Sequence, residues 1–160
     1  MHIFMQGVIA MKKLISLLLV LIFIPSLSSC EEQKNAYSLL SEFVIAYGAE
    51  GIIYSPQIPE GQDGYITEEL VKRIYIFSGK FPDEFAIFLN SHPDFGAECA
   101  VFICSDEQES SLIMEACAER IRLLGRGSDV AFIKRQGMVI FYSTMTDKKR
   151  AEGLWREIIK

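Results

Sequence analysis

Histidine is almost missing from this sequence. The chain carries two, and His2 lies in a segment expected to be removed, which leaves His92 alone. One imidazole cannot build a histidine-based metal site, and without convergent partners it makes no Ser-His-Asp arrangement. A solvated loop histidine beside Pro93 is the plain reading. Cysteine is sparse too: Cys30, Cys99, Cys104 and Cys117 show no C-x-x-C spacing of a metal or redox pair. Glycine-rich phosphate loops are absent. Gly125-Arg126-Gly127 follows a helical stretch, whereas a dinucleotide fingerprint follows a strand and opens a helix. Around Asp63-Gly64 and Asp94 the D-x-[DN]-x-[DN]-G pattern of a calcium loop is missing. Neither a cofactor nor a metal is expected.

Positive charge is also in short supply. Of 16 basic residues, Lys12 and Lys13 precede Cys30; the remainder of the chain holds 14 against 21 acidic residues, a net charge of −7. Such a domain gains nothing from nucleic-acid phosphates or anionic head groups unless a local basic patch forms. Lys148-Lys149-Arg150 is the one basic triplet, and its place in the first turn of a predicted helix makes it a solvated face. No nucleic-acid partner is expected. Carboxylates are plentiful at Glu31-Glu32, Glu50, Glu60, Asp63, Glu68-Glu69 and Asp83-Glu84. They sit at helix starts and in loops, where caps, dipoles and solvation favour them, and no spacing singles out a catalytic pair.

A long membrane-spanning run is lacking as well. The apolar stretch Leu14 to Leu27 falls short of the roughly 20 residues that cross a bilayer as a helix. It fits the apolar centre of an export signal, opened by Met11-Lys12-Lys13 and closed by Leu27-Ser28-Ser29-Cys30. Pro25 near its end suits a segment that must unwind for a peptidase. This is the pattern of a bacterial lipoprotein, with Cys30 as the lipid-attachment residue and Met11 as the preferred initiator. Glu31, rather than aspartate, follows Cys30, so the mark of inner-membrane retention in Gram-negative sorting is absent. Residues 1–29 are expected to be the signal peptide, 30–35 the lipidated cysteine and a short tether, and 36–160 a single α+β domain. The 131 residues from Cys30 onward can bury one core without help from disulfides.

Element by element, Asn35 is expected to cap a first helix running to about Gly48, with Leu40, Phe43, Val44 and Tyr47 on its inner side. Ile52-Ile53-Tyr54 reads as a brief extended piece, and Pro56 to Gly64 as a loop. Thr67-Glu68-Glu69 opens a second short helix with Leu70, Ile74 and Phe77 on one side. Glu84–Leu89 and Glu98–Cys104 read as strands joined through Asn90 to Gly96. The second is apolar on both faces, which predicts a central strand covered on each side. Asp106 and Glu109 form a capping box for the longest helix, whose inner stripe is Ile113, Met114, Cys117, Ile121 and Leu124. Strands Val130–Ile133 and Met138–Ser143 flank a turn at Lys134 to Gly137. Thr146 caps a last helix with Ala151, Leu154, Trp155 and Ile158 inward. The order from Glu84 is β-β-α-β-β-α behind two N-terminal helices, which predicts an antiparallel sheet of about four strands with helices packed on it.

Cys99 and Cys104 lie five apart on one strand, so their side chains point to opposite faces and cannot bond to each other. Cys117 can pair with either; three buried free thiols are the expectation. A cysteine nucleophile would need a base, and His92, seven residues before Cys99, is the sole candidate. Strand burial of Cys99 argues against that pair.

Several stretches share a likeness. Ile53-Tyr54-Ser55 ahead of Gly64-Tyr65-Ile66-Thr67, then Glu98-Cys99-Ala100-Val101-Phe102, then Gly137-Met138-Val139-Ile140 before a last helix, resemble small uncharacterised lipoproteins of clostridial bacteria that carry a domain of unknown function. The resemblance spans roughly Ala36 to Ile159. It implies the envelope of a Gram-positive cell and brings no catalytic residues. Without it, a Gram-positive membrane and a Gram-negative outer membrane are both open. The expected function is therefore a membrane-anchored extracytoplasmic lipoprotein, not an enzyme, whose domain binds an envelope protein or a small ligand. The rival expectation is an envelope hydrolase using carboxylates or the Cys99/His92 pair.

Overall fold

The computed structural model describes residues 34–77, 79–91 and 97–160. The expected signal segment, Cys30, most of the expected tether and His92 therefore lie outside the described residues. Lys34–Lys160 makes one compact unit. Its elements in chain order are α1 (Ala36–Tyr47), β1 (Gly51–Tyr54), α2 (Glu68–Ile74), β2 (Glu84–Asn90), β3 (Glu98–Ile103), α3 (Glu107–Leu123), β4 (Phe132–Gln136), β5 (Val139–Ser143) and α4 (Lys148–Ile158).

The sheet has five strands in the order β1-β2-β3-β5-β4, every neighbouring pair antiparallel. This corrects the expected four: Ile52-Ile53-Tyr54 belongs to a full edge strand, with Ile52 opposite Leu89 and Tyr54 opposite Ile87. A four-residue apolar piece shows too little alternation to be read as a strand from sequence; its pairing comes from β2. The added strand also separates the two N-terminal helices.

Alternation along the strands divides the core into two layers. On one face, Phe88, Cys99, Val101 and Phe141 pack under α1 and α4. Trp155 of α4 lies flat on Phe141 at 4.2 Å between ring centroids, and Phe43 of α1 meets the same ring edge-on at 4.8 Å. On the other face, Phe85, Ile87, Ala100, Phe102, Ile140 and Tyr142 pack under α2 and α3. The central strand β3 is thus covered on both sides, as its double apolar pattern predicts. Cys99 joins the first layer, while Cys104 and Cys117 join the second. All three are free and buried.

The helix starts follow local chemistry. Side chains of Asn35, Thr67 and Asp106 accept from backbone N–H groups of Ser38, Leu70 and Glu109. Glu109 completes the box from the other side, taking the N–H and hydroxyl of Ser105. Three expectations are corrected. α4 is capped by Asp147, not Thr146, since the Asp147 carboxylate accepts from the Arg150 N–H. The β4–β5 turn is Gly137-Met138, because Gln136 pairs directly with Val139; Gly137 has the positive φ, +58°, that a two-residue hairpin turn needs at its first position. Lys134, Arg135 and Gln136 are consequently strand residues, on an edge where polar side chains meet solvent. Finally, α2 buries Val71, with Tyr75 just past it, most deeply; Ile74 and Phe77 pack half-buried against the same layer, and Leu70 alone of the expected three stays out of it. Leu70 is 49% exposed, and it faces a pocket.

Candidate functional site

A carboxylate and a guanidinium meet in the layer beneath α2 and α3. Glu98 starts β3 with its side chain on the same side as Ala100 and Phe102, and it is only 3% exposed. A buried carboxylate without partners is costly. Its partner is Arg120 on α3, one helical turn beyond the buried Cys117, whose Nε and Nη2 donate to the two carboxylate oxygens at 2.8 and 2.7 Å. This is the two-pronged pairing that a planar guanidinium permits and a lysine does not. The Tyr142 hydroxyl, from β5, also donates to Glu98 Oε1. Tyr75 just past α2 reaches the Tyr142 oxygen at 2.7 Å. Since Tyr142 directs its proton at the carboxylate, Tyr75 donates to Tyr142.

The chain Tyr75, Tyr142, Glu98, Arg120 therefore runs hydroxyl to hydroxyl to carboxylate to guanidinium. Among the described residues no buried side-chain nitrogen or oxygen lacks a partner. Burial first, and then the Glu98 charge, holds the Tyr75 phenol well above its ordinary range. Burial, the Tyr75 hydroxyl and Glu98 do the same for Tyr142. The hydrogen bonds to Glu98 hold the Arg120 charge firmly in place. Backbone contacts fix the start of β3 as well: the Thr144 N–H donates to the Glu98 carbonyl at 2.8 Å, and the Glu98 N–H donates to the Thr144 hydroxyl at 2.9 Å.

Arg120 also forms part of a pocket wall. A cavity of about 230 Å³ opens between α2 and the β1–β2 corner of the sheet. Tyr54 comes from β1, Ile87 and Leu89 from β2, Leu70 and Ile74 from α2, and Tyr65 and Ile66 from the loop before α2. The sheet register explains the arrangement, because Leu89 lies directly opposite both Ile52 and Glu98, and Ile87 opposite both Tyr54 and Ala100. Helix α2 has only seven residues, too few to roof this corner. Leu70, Leu89 and the neighbouring Ile52 are left 49%, 37% and 44% exposed. Gly64 sets the loop that carries Tyr65 and Ile66. Its φ is +92°, and a Cβ there would stand 2.4 Å from the Ile53 carbonyl oxygen. Only glycine lets the loop come this close to β1, where Ser55 bridges to Tyr65.

The residues singled out from sequence are placed differently. Cys30 and His92 lie outside the described residues. Cys99 is wholly buried, opposite Phe88 and Ser143, on the face away from the pocket. Burial and then Glu98 push its thiol well above the ordinary range, the reverse of what a nucleophile requires. Among the carboxylates weighed from sequence, Glu68 at the start of α2 pairs with Lys72, and Asp83 with Lys80, at the surface. Among the described residues no carboxylate lines the pocket. Among the described residues there is no group of three His, Cys, Asp or Glu side chains able to hold a metal, and no helix long and apolar enough to cross a membrane.

Sequence reasoning missed Glu98 and Arg120. The signal was there: an acidic residue opening a strand that is apolar on both faces calls for a basic partner. Arg120 falls three after Cys117 on the inward stripe of α3. Comparison with protein families, with curated proteins and with solved structures finds no match to this chain.

Proposed function

We propose that this chain is an extracytoplasmic lipoprotein, held to the membrane by lipid on Cys30, and that its domain is a small-ligand binding module. The site is the pocket between α2 and the β1–β2 corner. One observation carries the binding reading: an apolar cavity of about 230 Å³ whose single charged wall residue among those described, Arg120, is held in position by a buried carboxylate. Apolar walls with a few oriented polar groups are how proteins hold small molecules. The anchor is supported by the Leu27-Ser28-Ser29-Cys30 motif behind its basic and apolar segments, and the clostridial resemblance favours a Gram-positive membrane.

The hydrolase alternative has less behind it. Its cysteine is sealed in the core, and among the described residues the pocket offers no acid or base beyond a paired guanidinium and two tyrosines. Native mass spectrometry of the full chain extracted gently from its membrane tests the binding reading. A bound small molecule lost in a Leu89→Arg chain is expected. Equal ligand content in the two chains would place binding elsewhere.

A further inference from the structure

We infer that the pocket takes a small flat aromatic molecule bearing an uncharged hydrogen-bond acceptor, such as a ketone or amide carbonyl, received by the free N–H groups of Arg120. This deepens the binding reading above and rests on it. The guanidinium carries five N–H donors. Its hydrogen bonds among the described residues are the two to Glu98, through Nε and Nη2. Three N–H groups remain, Nη1 with both of its own, on a side chain that is 22% exposed and forms part of the pocket wall.

The class of acceptor follows from charge. Glu98 already offsets Arg120 at 2.7 Å, and among the described residues Arg120 is the only charged one lining the cavity. An entering carboxylate would lose its water and then share one cation with the carboxylate of Glu98, with no second cation to balance it. A neutral carbonyl loses less solvation and still accepts a charge-assisted hydrogen bond. The chain Tyr75–Tyr142–Glu98 keeps the donor oriented before any ligand arrives, so little ordering is left for binding to cost.

Size and shape follow from the walls. An engineered apolar cavity of about 150 Å³ admits benzene, so this one holds about nine or ten non-hydrogen atoms. Tyr54 and Tyr65 supply aromatic surface, and Ile74, Ile87 and Leu89 aliphatic surface. A ring with one short carbonyl substituent meets both requirements.

Three probes of the same skeleton separate the possibilities: acetophenone, benzoate and α-methylstyrene. Binding to the full chain in detergent is read from the methyl resonances of Ile74 and Ile87. A Leu89→Arg chain is titrated in parallel with each probe, so that partition into micelles cancels. Acetophenone is expected to bind about tenfold more tightly than α-methylstyrene, the scale of one hydrogen bond to a charged group, and more tightly than benzoate. In a Glu98→Gln/Arg120→Met chain that gap should close, with α-methylstyrene binding kept. Equal affinity of acetophenone and α-methylstyrene for the unaltered chain would overturn the inference while leaving the pocket as a binding site. Benzoate binding most tightly would overturn it in favour of an anion site. If none of the three shifts the two methyl resonances, the binding reading itself fails. The comparison on the unaltered chain decides the matter even if the double variant does not fold.

Discussion

Glu98 is the residue whose removal, or whose partner's removal, this domain should feel most. Its carboxylate, 3% exposed, receives two bonds from Arg120 and one from Tyr142. Replacing Arg120 by Met leaves a buried charge unanswered, and a loss of about 3–5 kcal/mol is expected. Changing both partners, Glu98→Gln with Arg120→Met, should cost much less than Arg120→Met alone, since no stranded charge remains. Urea unfolding of the three chains measures the difference; equal losses would mean that the pair acts only through packing. Tyr75→Phe removes the outer hydroxyl and should cost about 1 kcal/mol. The thiols supply a separate prediction. Burial raises Cys99 and Cys117 well above their reference value of 9.0, and Cys104 to about 11. A group whose folded value is raised keeps its proton in the native state after the unfolded chain has lost it. Its contribution is therefore complete below pH 9 and declines as pH rises through the unfolded value toward the folded one. Each buried thiol should then remove about 1.4 kcal/mol per pH unit above that point, with Tyr75 and Tyr142 adding to the loss at still higher pH. The urea midpoint should be flat from pH 7 to 8.5 and fall by pH 10; a midpoint unchanged at pH 10 contradicts the burial of the thiols.

At the scale of the element, short-range chemistry explains the starts of the helices and long-range pairing explains the sheet. Asp106 and Glu109 close the first turn of α3 from both sides. Asp106→Ala should therefore lower stability by about 1 kcal/mol, with no change at pocket-facing Leu70 or Ile74 in a methyl spectrum. Thr146 was a reasonable cap by residue type, yet Asp147 holds the Arg150 N–H; two adjacent cap-forming residues cannot be ranked without the turn that precedes them. The same limit applies to Lys134, Arg135 and Gln136. Polar residues before a glycine look like a turn, but here they form the outer strand of a hairpin, with Lys134 opposite Phe141 and Arg135 opposite Ile140. Leu70 shows the limit most plainly. Helical spacing aligns it with Ile74, and the helix does turn both toward the sheet corner, but among the described residues no side chain fills the space opposite.

For the whole molecule, the two layers do different work. Both carry aromatic clusters, Tyr75, Phe81, Phe85 and Phe102 under α2 and α3, and Phe43, Phe141 and Trp155 under α1 and α4. The layer under α2 and α3 holds the polar chain and stays open at the β1–β2 corner. A binding module on a short tether would work close to the membrane surface. Cys30→Ala should yield a chain that is uncleaved, or released without lipid, by intact mass of the membrane and soluble fractions. Lipid still attached in that variant would end the lipoprotein reading.

Local pattern in the sequence was enough for the α+β class, the central place of β3, the caps at Asn35 and Asp106, the helix start at Thr67, and the opposite facing of Cys99 and Cys104. Each of those depends on periodicity or on contacts within a few residues, which any reader of the chain can trace. The export reading proposed for Leu27-Ser28-Ser29-Cys30 is local in the same sense, since it rests on adjacent residues alone. Tertiary structure decided what adjacency cannot: that Gly51–Tyr54 is an edge strand, that Leu89 stands beside Glu98, and that Arg120 crosses from α3 to meet it. Residues 22 apart came together there because a carboxylate taken out of water must find its counter-charge wherever the fold provides one. The pocket is the remainder of the same geometry, a corner of the sheet that seven residues of helix do not reach across.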